Sequence, residues 1–151
     1  MEDSNEVIAE YLALLRNIMS AKQYEFKKPQ SEVPTTRGVY IIYDDKPSIL
    51  YVGRTKNLRR RLLSNHLGNE TGNKDRSRFR RALKSHLSEN SQFRRAMKKD
   101  FGLSEDELSD YIRKNCTFSF LQISEAEIEV RLEHFATAIL GPILNTKLLK
   151  Q

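Results

Sequence analysis

Two tripeptides set a tyrosine and a glycine in mirrored order, Gly38-Val39-Tyr40 and Tyr51-Val52-Gly53. The second runs directly into Arg54-Thr55-Lys56-Asn57-Leu58-Arg59-Arg60-Arg61, and four glutamates, Glu125, Glu127, Glu129 and Glu133, lie close together near the C-terminus. Phenols, guanidiniums and carboxylates are the groups that phosphodiester hydrolysis asks for. The reaction needs an activated water, positive charge on an anionic transition state and help for the leaving oxygen. A metal ion can supply the last two, and a glutamate is an oxygen ligand of the kind Mg²⁺ prefers. A guanidinium pairs with a phosphate bidentately. A free tyrosine has a pKa of about 10 and needs nearby cations before it can act as a base at neutral pH; Arg54 and Arg61 are candidates. Residue type alone leaves the roles open. Strand tyrosines commonly pack on half-buried sheets, Arg61 could be a solvated helix residue beside Arg59 and Arg60, and nothing in composition selects one of the four glutamates.

The charge distribution narrows the partner. The 151 residues hold 26 Lys and Arg against 20 Asp and Glu, a net of +6. Residues 54–99 hold 15 of the cations and only Glu70, Asp75 and Glu89 as anions, a net of +12 that leaves the rest of the chain at −6. Pairs one helical turn apart cannot neutralise such an excess. A polyanion, most often nucleic acid, is the expected partner.

Composition excludes other classes. Hydrophobic residues are 38% and charged residues 30%, with a mean hydropathy of −0.62. That is a folded, polar chain, not a disordered one, and no apolar run approaches the ~20 residues of a membrane span. The opening MEDSNEVIAEYLALL is acidic and patterned, unlike a secretory signal. Cys116 is the only cysteine, so neither an intrachain disulfide nor a cysteine zinc site is expected, which fits a reducing, cytoplasmic setting.

The elements that would position these groups follow from periodicity. Val7, Ile8, Tyr11, Leu12, Leu15, Ile18 and Met19 recur at helical spacing and predict a helix over about 4–21, capped by Asp3. Pro29 and Pro34 mark an extended connection. Strands are expected over 38–43 and 48–52 as an antiparallel hairpin turning at Asp44-Asp45-Lys46-Pro47, and a third over 116–123. Helices are expected over about 56–66, 104–114 and 125–140, the last stopped by Gly141-Pro142. Between them lie a loop at 67–76 and a near-repeat, Ser77 to Lys84 echoed by Ser91 to Lys98, each copy setting a phenylalanine before paired arginines. Phe79 and Phe93 should be core; Arg80, Arg81, Arg94 and Arg95 should form a cationic platform along a DNA backbone, with Arg54, Lys56 and Arg59 as further phosphate contacts. The whole reads as one α+β domain, a three-stranded, mainly antiparallel sheet flanked by helices. Residues 1–36 form its N-terminal helix and extended connection, and 37–146 its core with a basic helical insert at 67–115.

With these residues in view, the chain resembles the GIY-YIG nuclease family. That family's core reads Gly-Ile-Tyr, a spacer, Tyr-Ile-Gly and an Asn-Leu-x-x-Arg pattern that opens a helix; here valine replaces both isoleucines, and Asn57 to Arg61 supplies the helix pattern. Glu133, Pro142 and Asn145 match a glutamate on the last core helix, a proline nine residues on and an asparagine twelve residues on. The resemblance implies roles. Tyr40 is the general base, Tyr51 positions water or phosphate, and Arg61 pairs with the scissile phosphate. Glu133 binds one divalent ion, Mg²⁺ with Mn²⁺ as the alternative, and Asn145 orients backbone near the site. Some members carry a histidine four residues after the arginine, where it can take the tyrosine's proton; here that position is Asn65, and His66 follows at five.

The implied activity is metal-dependent endonucleolytic cleavage of DNA, double-stranded above all. Among members, a catalytic domain with a basic insert resembles the restriction endonucleases. The alternatives are a structure-specific repair or mobile-element nuclease and a non-cleaving nucleic-acid-binding module. Retention of Tyr40, Tyr51, Arg61 and Glu133 argues against the last.

Overall fold

A computed structural model describes residues 3–27, 30–68, 77–89 and 103–149. Its centre is an antiparallel sheet. Strands β2 (Gly38–Tyr43) and β3 (Ile49–Thr55) form the expected hairpin, and β4 (Thr117–Gln122) pairs with the other side of β2. The sheet has four strands rather than three: β1 (Tyr24–Glu25) pairs with β4, giving the order β1-β4-β2-β3. Two residues are too short to show alternation. β1 is held by aromatic stacking, with the Tyr24 ring 5.7 Å from Phe118 and 5.4 Å from Phe120.

Every residue of β2 is buried, because helices cover both faces of the sheet. On one side, α1 (Ser4–Ser20) and α4 (Ala126–Leu140) pack Tyr11, Leu15, Ile18, Leu132 and Ala136 against Val39, Ile41 and Val52. On the other, a helical turn ending in Arg60–His66, then α2 (Arg78–Glu89) and α3 (Glu105–Asn115), bring Leu58, Leu62, Phe79, Leu83, Leu108 and Ile112 over Tyr40 and Ile42. Alternate residues of one strand therefore serve two cores. The buried stripe of α1 is narrower than its periodicity suggests: Ile8 and Met19 are 56% and 42% exposed.

Helix ends follow local chemistry. The Asp3 side chain accepts from the Asn5 N–H, and Ser104 and Glu107 form the reciprocal capping box of α3. Gly141 closes α4 in the left-handed region at φ 55°. Gly141 and Pro142 thus end α4 as expected, and a separate short helix, α5 (Ile143–Leu149), follows at once. No helix among the described residues is long and apolar enough to cross a membrane. The repeat copy at 91–98, with Phe93, Arg94 and Arg95, lies outside the described residues, as does most of the 67–76 loop.

Cys116 is 2% exposed, and burial, with Asp44 and Asp45 nearby, pushes its thiol up to about 12. The native protein should therefore react with iodoacetamide far more slowly than denatured protein at pH 8. Mass spectrometry of timed alkylation checks this; equal rates would show an accessible thiolate.

Candidate active site

The mirrored tripeptides face each other across the hairpin. Tyr40 pairs with Gly53 and Ile42 with Tyr51, so the two tyrosines are diagonal neighbours on one face, with ring centroids 6.3 Å apart. The register also explains the glycines. A side chain on Gly53 would fall onto the Tyr40 ring and hydroxyl, and one on Gly38 would strike the Leu121 carbonyl and Leu58. Tyrosine needs glycine opposite because its phenol lies across the neighbouring strand.

The chain then turns tightly into a helix. Thr55 Oγ1 accepts from the Asn57 N–H, and Asn57 Oδ1 accepts from the Arg60 N–H. The Leu58 and Arg59 amides are taken up by the Thr36 and Pro34 carbonyls. From Arg60 to His66 the helix is π rather than α, with the Leu67 N–H reaching back five residues to the Leu62 carbonyl at 3.3 Å. The wider turn accommodates one extra residue. It therefore carries His66, five residues after Arg61, into contact with Tyr40: His66 Nε2 lies 2.5 Å from the Tyr40 hydroxyl. His66 is 1% exposed, ringed by Tyr40, Tyr51 and Phe79, and its Nδ1 lies 2.7 Å from Ser77 Oγ.

Arg61 projects from the same turn. It lines an open cleft of about 490 Å³ shared with Arg54, Lys56, Asn57, Arg60 and Glu129, and its Nε is buried without a hydrogen-bond partner. A buried guanidinium nitrogen lacking an acceptor beside a cationic cleft is suited to an anion. Across the cleft, α4 presents two carboxylates one turn apart. Glu133 Oε2 lies 2.7 Å from Arg54 Nε. Glu129, fully buried, is bound by Arg37 at 2.7 Å, with Arg54 at 3.9 Å. Sequence reading could not separate Glu129 from Glu125 and Glu127, which stay exposed; nor does any signal pick out Arg37.

Two buried titratable groups meet here, and both are held neutral. Burial pushes the Tyr40 phenol well above its usual value, with Tyr51 adding to the rise; Arg61 only partly opposes it. The expected lowering of Tyr40 by cations is thus absent in the free protein. Burial, then Arg61 and Arg80, pull His66 well below 6.5. Tyr51 is raised by burial and Glu133, against Arg78, Arg61 and Arg81.

The remaining candidates divide. Asn145, on α5, accepts from the Val52 N–H at 2.9 Å and donates to its carbonyl at 3.0 Å, fixing the backbone beside Tyr51. Lys56 is exposed at the cleft and Arg81 is exposed on α2. Arg59 instead donates to the Val33 and Ser31 carbonyls, bracing the preceding loop. Arg80 does not face solvent at all. It is 1% exposed, donates to the His66 and Leu67 carbonyls and to Ser109, and is paired with Glu105 at 2.7 Å. Its place on a DNA-facing platform is corrected: in this amphipathic helix Arg80 follows Phe79 onto the inner side.

An α+β scaffold that gathers two tyrosines, a histidine, a half-buried arginine and a carboxylate beside a cationic cleft is a hydrolase framework for phosphodiesters. The chain belongs to the GIY-YIG family, whose catalytic-domain model matches residues 11–150, reaching back into α1. The matched domain is of the endonuclease class, and its family generally uses divalent metal ions. The chain is similar to the UvrABC system protein C of Dictyoglomus thermophilum, at 45% identity over 40 residues, which are 26% of this chain and 7% of that protein. It is also similar to that of Lawsonia intracellularis, at 53% over 34 residues, 22% of this chain and 6% of that protein. The matched stretches thus span under a tenth of those relatives.

Proposed function

We propose that the protein cleaves double-stranded DNA by metal-assisted hydrolysis, with Tyr40 as general base and His66 as the acceptor of its proton. The contact between the Tyr40 hydroxyl and His66 Nε2 carries this reading. A water attacking phosphorus gives its proton to the Tyr40 oxygen while the Tyr40 proton passes to Nε2. The phenol is then neutral again, and the imidazole carries the charge. In the free protein burial disfavours that charge. A phosphate entering beside Arg61 brings the negative charge that offsets it, so the relay is coupled to substrate. Arg61, with its unpartnered Nε, holds the scissile phosphate. Tyr51 flanks the attacking water, and Asn145 keeps β3 in place beneath it.

Glu133 fits Mg²⁺ as a single hard oxygen ligand. It is partly exposed, and a Mg²⁺ shell is usually completed by waters and a substrate phosphate rather than by several carboxylates. Arg54, now on Oε2, has to share or leave that oxygen. A metal ion held by Glu133 would supply positive charge to the phosphate and the leaving group. Glu133→Gln should bind DNA normally and cleave about 10³-fold more slowly in Mg²⁺, the equivalent of several kcal/mol of transition-state stabilisation. Single-turnover assays with and without EDTA check this; a variant at the parent rate would remove Glu133 from the site.

Two roles remain open to such an enzyme. The cationic segment 54–99 favours grip on continuous duplex and a restriction-type role. The similarity to UvrABC system protein C favours action on a structured or damaged duplex. Plasmid, bubble and flap substrates offered together in Mg²⁺, with the ends sequenced, separate them.

A further inference from the structure

We propose that Ser77 is a positioning residue that fixes the tautomer of His66, so that Nδ1 carries the hydrogen and the Nε2 lone pair faces Tyr40. This rests on the Tyr40–His66 relay proposed above. Ser77 Oγ lies 2.7 Å from His66 Nδ1 and also accepts from the Arg80 N–H at 3.2 Å, where it caps the start of α2. Ser77 and His66 are each 1% exposed, so no bulk water competes for either nitrogen.

A neutral imidazole has one N–H and one lone pair, and the bond at one nitrogen decides the state of the other. Two assignments are available. Either Nδ1–H donates to Ser77 and Nε2 accepts from Tyr40, or Ser77 donates to Nδ1 and Nε2–H donates to Tyr40. A phenol is a far stronger acid than a neutral imidazole N–H, so of the two groups in this contact the phenol is the better donor and Nε2 the better acceptor. Only that assignment lets His66 receive the Tyr40 proton.

Arg80 completes the device. Its guanidinium binds the carbonyls of His66 and Leu67, and its other end is anchored on Glu105. The end of the π-turn is thereby fixed relative to α2 and α3. One residue thus presents its backbone to Ser77 and its side chain to the backbone of His66, holding the imidazole between them.

The test is nitrogen-15 NMR of histidine-labelled protein, with His66 assigned by comparison with His66→Gln, beside single-turnover cleavage of duplex DNA in Mg²⁺. The expected wild-type spectrum has a protonated Nδ1 and a bare Nε2. Ser77→Ala should cleave about 10–100-fold more slowly, the usual loss when a partner that orients a site histidine is removed, with unchanged DNA affinity and a share of His66 protonated at Nε2. Ser77→Thr keeps the hydroxyl and should recover most of the rate, while the equally shaped Ser77→Val should not. A wild-type His66 protonated at Nε2 overturns the proposal, as does a Ser77→Ala protein that cleaves at the parent rate while His66→Gln is slow. If His66→Gln itself cleaves at the parent rate, the relay reading fails, and the proposal fails with it. The wild-type spectrum decides the tautomer even if Ser77→Ala does not fold.

Discussion

Tyr40→Phe should leave DNA affinity intact and slow cleavage by about 10²–10⁴-fold, the range for removing a positioned acid or base. The ring is 2% exposed, lies over Gly53 and packs against Tyr51; phenylalanine keeps that packing and removes only the hydroxyl. What is lost is the hydroxyl proposed to relay the proton, which is also the partner of His66 Nε2. Leaving that buried nitrogen unpaired should also cost about 1–3 kcal/mol of stability. The acid limb of the wild-type rate gives a second readout. His66 must be neutral to accept a proton, and burial, Arg61 and Arg80 hold its pKa below 6.5. The rate should therefore persist as pH falls through 6.5 and drop only below it, as the imidazole charges. Single-turnover rates at saturating DNA across pH measure both effects. A Tyr40→Phe protein at the parent rate would reduce Tyr40 to packing.

Arg80→Ala should destabilise the fold by about 3–5 kcal/mol, as breaking a buried ion pair does, towards the lower end because Glu105 keeps 36% of its side chain in solvent. The loss includes the donors to the His66 and Leu67 carbonyls and to Ser109. Thermal unfolding should fall by roughly 10 °C for a chain of this size. The salt dependence of DNA binding should not change, because the guanidinium is buried and occupied by Glu105, Ser109 and the His66 and Leu67 carbonyls. Arg81→Ala is the contrast: an exposed cation beside Tyr51, whose removal should flatten the slope of log affinity against log salt by about 0.9 and spare stability. A flattened slope for Arg80→Ala, with unchanged melting, would return Arg80 to the DNA-binding surface.

The contrast between these adjacent arginines shows where sequence reading stops. The hairpin was legible because β-branched and aromatic runs flank a turn, but the register of Tyr40 on Gly53 depends on an irregularity between Ile42 and Tyr43 that shifts the pairing by one residue and that no sequence signal marks. The family and the endonuclease class were legible in the spacing of the tripeptides, Arg61 and the Glu133–Pro142–Asn145 set. Arg80 was not, since charge reads as surface until a carboxylate such as Glu105 arrives from a distant helix. Nor was the contact made by His66. A helix counted at four residues per turn puts Asn65 beside the arginine's neighbour, and only the i→i+5 bond from Leu67 to Leu62 moves the register by one. Glu129 was hidden among its neighbours because its burial against Arg37 depends on how α4 lies over β2 and β3, a tertiary fact. β1 escaped because two residues carry no period.

The hold of Asn145 on Val52 has a consequence for assembly. β3 is the outermost strand of the sheet, and an outer strand offers its free N–H and C=O groups to any extended chain that comes alongside. At Val52 both groups are already taken by one carboxamide, which behaves like a single residue of a missing neighbour. Ladder growth across this border is interrupted at its centre, so two copies cannot fuse their sheets there, and an unfolded segment finds no continuous template.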